Sequence, residues 1–175
     1  TISRSSPIQV PGIQWSNIKS VSSGNYQNMT IVKTDGTLWA WGYSSLYGGW
    51  NDSGPRSSPV QLPGTQWTRV KGLGGYGFIA TKDDGTTWVW GNNSNAELGL
   101  NDLVPRSSPT QIPGTNWTAV TAHQYGAAAL KTDGTLWTWG YNNSGECGIN
   151  DNVQYSSPVQ VPGTDWRSVH ANLNG

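Results

Sequence analysis

The sequence predicts an all-β fold, a β-propeller of four-stranded blades. Three observations carry it. First, the string Ser-Ser-Pro, three residues, Pro-Gly, two residues, Trp occurs four times, leading to Trp15, Trp67, Trp117 and Trp166 at spacings of 52, 50 and 49. Second, Asp-Gly-Thr-x-Trp-x-Trp-Gly falls between these strings three times, at 35–42, 84–91 and 133–140. Third, no stretch keeps a 3.6-residue apolar period over three turns. A repeat near 50 residues with several strand and turn signals per unit describes a blade array, since each unit must bury its faces against its neighbours.

The elements follow in order along one unit. Trp117 to Thr121 alternates apolar with small polar residues and reads as a short strand. A bend at His123–Gly126 precedes a second apolar strand, Ala127–Lys131. Asp133-Gly134 reads as a two-residue hairpin turn, because both residues tolerate positive φ. Leu136–Trp139 is the third strand, followed by a long polar loop from Tyr141 to Tyr155. Ser157–Val161 is the fourth. Proline cannot donate to a ladder, so Pro158 puts this strand outermost and leaves the Trp-x-x-Val strand innermost.

Complete units span about 15–64, 67–114 and 117–163, with partial units at 1–14 and 166–175. The first partial unit supplies an outer strand, Ser6–Val10; the last supplies an inner strand from Trp166 to about Ala171. Propellers run from about four to eight blades. Other repeats are therefore expected to complete the ring, from a longer chain or from other copies. A stop inside a repeat favours the longer chain.

Composition bounds the function. Only 11% of residues are charged, and ten basic residues balance ten acidic ones. Such a chain has no basic footprint for nucleic acid or for an anionic membrane. No apolar run is long enough to span a bilayer. The Gly, Ser, Thr, Asn and Trp-rich composition resembles that of extracellular, cell-surface or virion β proteins. Cys147 has no partner for an internal disulfide; it stands where the preceding unit has Leu98 and reads as a small buried apolar residue.

The Trp-x-Trp pairs, 39/41, 88/90 and 137/139, each put two rings on one face of a strand. They could stack sugars or pack blades. One pair in every unit at one register favours packing. With a single Phe in the chain, Trp must supply the core: about 150–250 Å² is buried per ring, on the order of 4–6 kcal/mol gross at about 25 cal/mol/Å². Ten of the eleven Trp are expected to be mostly buried. The exception is Trp50, at a loop position where other units have Leu100 and Ile149: it is the candidate exposed aromatic, and plugging a blade edge is its equal alternative.

No catalytic constellation is legible. His123 and His170 lack an acidic or Cys partner at ligand spacing, and Asp35, Asp84 and Asp133 sit alone on separate hairpins. The pairs Asn51-Asp52, Asn101-Asp102 and Asn150-Asp151 offer too few oxygens for calcium and read as loop caps. Changes at Asp102 or His123 are expected to be nearly silent. No cofactor or metal is expected.

The run Leu130 to Asp151, with Trp90 to Leu100, resembles the repeat of the regulator of chromosome condensation family over essentially the whole chain. The resemblance implies a propeller, usually seven-bladed. It implies less about activity. The eukaryotic member is a nucleotide-exchange factor for a small GTPase, bacterial and viral chains carry the repeat without that activity, and one relative inhibits β-lactamase by docking a propeller face. Members usually carry His five residues before the Lys of the turn. Here Asn28, Gly77 and Gly126 stand there, so no exchange residue carries over.

The expected function is a non-enzymatic structural or interaction module, surface-displayed or virion-associated, that binds a protein or receptor. The alternative is a carbohydrate-binding propeller; a GTPase exchange factor ranks third. Recognition is expected from one rim of loops, through Tyr43, Tyr47, Trp50, Asn92, Asn93, Tyr141, Asn142 and Asn143, since Tyr, Ser, Asn and Gly suit adaptable binding loops.

Overall fold

The structure, a computed structural model, describes residues 9–10, 18–24 (backbone only), 28–43, 47–74 and 76–170. Trp15 and most of the first outer strand expected at Ser6–Val10 lie outside them. Among the described residues, twelve strands make three antiparallel four-stranded sheets, each a meander in chain order. The first sheet is β1 (Ile18–Gly24), β2 (Asn28–Lys33), β3 (Leu38–Gly42) and β4 (Arg56–Gln61). The second is β5 (Trp67–Leu73), β6 (Gly77–Lys82), β7 (Thr87–Gly91) and β8 (Arg106–Gln111). The third is β9 (Trp117–His123), β10 (Gly126–Lys131), β11 (Leu136–Gly140) and β12 (Tyr155–Gln160). No helix occurs among the described residues. These are propeller blades. β1 runs beside β5, and β5 beside β9, so these three line the inside of the arc. Pro59, Pro109 and Pro158 sit in the outermost strands β4, β8 and β12, where a missing N–H costs no ladder bond.

The tryptophans pack blade on blade. Trp67, Phe78 and Trp90 of the second blade press on Val32, Leu38, Ala40 and Leu62 of the first. Trp117 and Trp139 of the third, with Ala127 and Ala129, press on Ile79, Val89, Leu98 and Ile112 of the second. Phe78 stacks on Trp90 at 5.5 Å between ring centroids. The third blade has Ala127 at that register, and Trp139 instead meets Trp117 edge-on at 6.4 Å. Trp90 and Trp139 are fully buried. The third blade turns a further apolar face, Leu130, Leu136 and Val161, toward the segment that contains Val169.

Of the two expected places for Trp50 the structure has the packed one, and the expectation for Trp166 is corrected. Trp50 is half-buried: its ring packs on the first core cluster and its indole N–H donates to the Gly54 carbonyl. Trp166 is 40% exposed. It begins its segment as Trp67 and Trp117 do, with its N–H on the carbonyl of the preceding turn glycine, Gly134, at 3.1 Å. But residues 166–170 form no strand, contrary to expectation, and no described residue after them covers the ring.

The Asp-Gly corners also differ from the expected two-residue turn. In each, only the glycine takes positive φ (79°, 75° and 78° for Gly36, Gly85 and Gly134). Gly36 N–H bonds to Lys33 O, and Lys33 N–H to Thr37 O, which makes a three-residue loop. The aspartate's work is done by its side chain. Asp35 Oδ1 accepts from the Thr37 N–H and hydroxyl at 3.0 and 2.6 Å, and the Thr37 hydroxyl accepts the Trp39 indole N–H at 2.9 Å. The same relay joins Asp84, Thr86 and Trp88, and Asp133, Thr135 and Trp137. These bonds hold all three carboxyls below their ordinary pKa. The Asp-Gly-Thr-x-Trp string is thus a turn that also fixes the ring following it.

Candidate functional site

Strand direction sorts the loops onto two rims. The Asp-Gly turns and the Pro-Gly turns share one. The other carries the inner hairpins, with Tyr76 and Tyr125 on them, and the long loops after β3, β7 and β11. This second rim holds every residue expected to recognise a partner.

The long loops after β7 and β11 are each built on a buried asparagine. The Asn93 side chain is fully buried; its amide donates to Asp102 O, Asp102 Oδ1 and Val104 O at 2.8, 3.1 and 3.3 Å. Its carbonyl accepts the Leu98 N–H at 2.9 Å. Asn142 repeats the pattern with Asp151, Val153 and Cys147. Asn93 and Asn142 are therefore struts and present nothing to a partner, contrary to expectation. A buried amide with four bonding positions is the compact way to satisfy a loop's backbone groups. Asn92 is half-buried and spends its amide on Ser94 and Glu97.

Asp102 also belongs to this network. Besides Asn93 it accepts the Val104 N–H (2.9 Å) and pairs with Arg106 (2.6 Å), and these bonds lower its pKa. It is no silent surface residue. In the next blade the Tyr155 hydroxyl does the arginine's work on Asp151, at 2.7 Å. The asparagine of each Asn-Asp pair turns the loop, with φ of 63–64° at Asn51, Asn101 and Asn150. The Asn51 and Asn101 N–H groups cross to Ser107 O and Ser156 O of the next blade, at 2.9 and 2.6 Å. The expected capping role of these pairs is what the structure contains.

Above the struts lies a rim of tyrosine. Tyr43 is 52% exposed. Tyr47 stacks on Tyr76 across two blades, with ring centroids 6.2 Å apart. Tyr141 lies 5.8 Å from Tyr125, and its hydroxyl accepts from exposed Asn143. Gln124 donates to the Tyr125 hydroxyl. Tyr76 and Tyr125 escaped the sequence reading. The available signal was a Tyr-Gly pair recurring at 49 residues, at the tip of the inner hairpin.

Titratable groups offer little chemistry. His123 is half-buried, and burial lowers its pKa while Glu146 opposes. Cys147 is buried with its thiol pKa raised by burial. Among the described residues no three His, Cys, Asp or Glu side chains gather where they could hold a metal.

The regulator of chromosome condensation (RCC1) repeat model matches residues 84–130 and 133–171. The chain belongs to the RCC1-repeat family. Solved structures agree on the propeller fold. Human WBSCR16 superposes with a TM-score of 0.73 at 24% identity, over 91% of this chain and 44% of that one. The structure of Kap60 bound to yeast RCC1 (Prp20) gives 0.71 at 17% identity, over 83% of this chain and 36% of that one. That of Prp20p from Saccharomyces cerevisiae, described with its binding to Gsp1p and histones, gives 0.66 at 16% identity, over 85% and 39%. These RCC1 repeats thus span well under half the length of the solved chains they match. No curated protein sequence matches significantly.

Proposed function

We propose that this chain is a non-enzymatic interaction module that binds a protein through its tyrosine rim. The single observation that carries this reading is the rim itself: Tyr43, Tyr47, Tyr76, Tyr125 and Tyr141 gather on one rim, Tyr47 in ring contact with Tyr76 and Tyr125 with Tyr141, and buried Asn142 braces the loop of Tyr141. Rigid loops tipped with tyrosine give large amphipathic contact area at low entropic cost. Two structural relatives described with protein partners support the class of ligand, though not its identity. Low charge and loops rich in Asn, Ser and Gly favour display on a cell surface, a secreted protein or a virus particle. On this reading the remaining blades of the ring come from further repeats.

The test places a photo-crosslinking amino acid at Tyr43 or Tyr141, and at Asp84 or Asp133 on the opposite rim as controls. A discrete protein adduct from the tyrosine rim alone supports the reading. Adducts from the control rim alone, or from neither, sink it. A flat nucleotide-release assay would close the exchange-factor alternative.

A further inference from the structure

The Pro-Gly and Ser-Pro strings, so regular in sequence, take no part in the tyrosine rim. They meet instead at an open cleft of about 240 Å³ toward the opposite rim, walled by Trp117, Trp137, Ser157, Pro158 and the Pro113–Gly114 turn, with Lys131 at its back. The two indoles stand nearly perpendicular, 87° and 6.3 Å between centroids. The Lys131 ammonium is cupped by both, 4.7 Å from the Trp117 ring and 4.4 Å from that of Trp137.

The second blade repeats the arrangement. Lys82 lies 4.7 Å from Trp67 and 4.5 Å from Trp88, whose rings meet at 74°. A side chain on Gly64 would come within 3.2 Å of the Lys82 ammonium and 3.4 Å of Trp67; on Gly114 it would lie 3.6 and 3.5 Å from the equivalent atoms. The glycine of each Pro-Gly turn therefore leaves the mouth clear. In the first blade Lys33 is buried and paired with Asp35 at 3.3 Å. Lys82 and Lys131 have no carboxylate within ion-pair distance among the described residues. The aspartates of their own turns, Asp84 and Asp133, are tied to threonine. Trp88, Trp137, Lys82 and Lys131 are each half-buried and retain an open side, while Trp67 and Trp117 are buried behind them.

From this geometry we infer that the two clefts bind carboxylated sugar rings, one uronate residue in each, along an acidic polysaccharide. Size argues for one ring, since the cleft is smaller than the ~300–1,000 Å³ that holds a drug-sized ligand. Indole faces and a proline ring suit the C–H face of a pyranose. The ammonium, held by cation–π contact and lacking an anion, suits the ring carboxylate. One cation per cleft fits one carboxylate per sugar. A proline-rich peptide would want a longer groove with parallel aromatic ridges. A single exposed ion pair binds weakly; two clefts on one rigid arc let a polymer gain by avidity.

The test titrates the full chain with polygalacturonate, with its methyl ester, with a sialylated trisaccharide and with a proline-rich peptide, read by tryptophan fluorescence and calorimetry. Polygalacturonate is expected to bind at least tenfold more tightly than its ester. Lys82→Gln with Lys131→Gln is expected to lose at least tenfold while near-ultraviolet circular dichroism is unchanged. Should that variant misfold, the native chain decides by salt, because binding must weaken from about 0.05 to 0.5 M. Equal binding of the ester, no salt dependence, tighter binding of the sialoside or peptide, or no binding of polygalacturonate overturns the inference.

Discussion

The indole N–H of Trp139 donates to the carbonyl of Glu97, 42 residues earlier and one blade away, at 2.9 Å. The long loop of one blade is thus pinned by the core tryptophan of the next. Trp139→Ala removes a fully buried ring and this bond, and is expected to cost about 3–5 kcal/mol in urea denaturation. Trp139→Phe keeps most of the packing and should cost less. If the two variants cost the same, the ring's size contributes little, and the packing account of the Trp-x-Trp string fails.

Gly99 and Gly148 are equivalent positions with nearly equal φ, 65° and 68°. A side chain on Gly99 would come within 2.8 Å of Trp139; one on Gly148 meets nothing within 4 Å. In the 175-residue chain tested by itself, Gly148→Ala should cost only the left-handed strain, about 1–2 kcal/mol. Gly99→Ala should cost distinctly more, because buried Trp139 cannot swing away without breaking its bond to Glu97. Equal costs for the two would mean that the neighbouring blade does not press on this loop in solution.

Asn93→Ala leaves the Leu98 N–H and the carbonyls of Asp102 and Val104 without their partner, so a loss of about 2–4 kcal/mol is expected. Asp102→Ala removes a weaker, part-exposed set and should cost about 1 kcal/mol. Thermal melts of both variants check the ranking. A silent Asn93→Ala would show that the loop satisfies itself some other way.

His123 is held below its ordinary pKa by burial. A depressed histidine pKa means that the unfolded chain binds the proton more readily. Its contribution is therefore complete above the unfolded value, about 6.5, and is lost as pH falls toward the folded value. Melting temperature should drop between about pH 7 and 5, and His123→Gln should flatten that drop. An unchanged slope in the variant would place the proton elsewhere.

By itself the sequence determined the class of fold and the order of its parts. Turn and strand signals repeat with fixed spacing, and proline and glycine act locally: Pro158 must lie at an edge, and Gly134 must take the left-handed position, whatever surrounds them. It also told the core tryptophans, because Trp90 and Trp139 alternate with their neighbours at the strand period. Tertiary structure alone decided which polar residues face outward. Asn92, Asn93 and Asn143 look alike as letters, yet Asn93 is fully buried and Asn143 exposed, because four hydrogen bonds to groups 5 to 11 residues away draw one side chain inward. The exposure of Trp166 and the half-burial of Trp50 depend likewise on what packs over them. The meeting of Trp117, Lys131 and Trp137 also waited on the fold, since strand pairing, not spacing, puts residues from three strands around one ammonium.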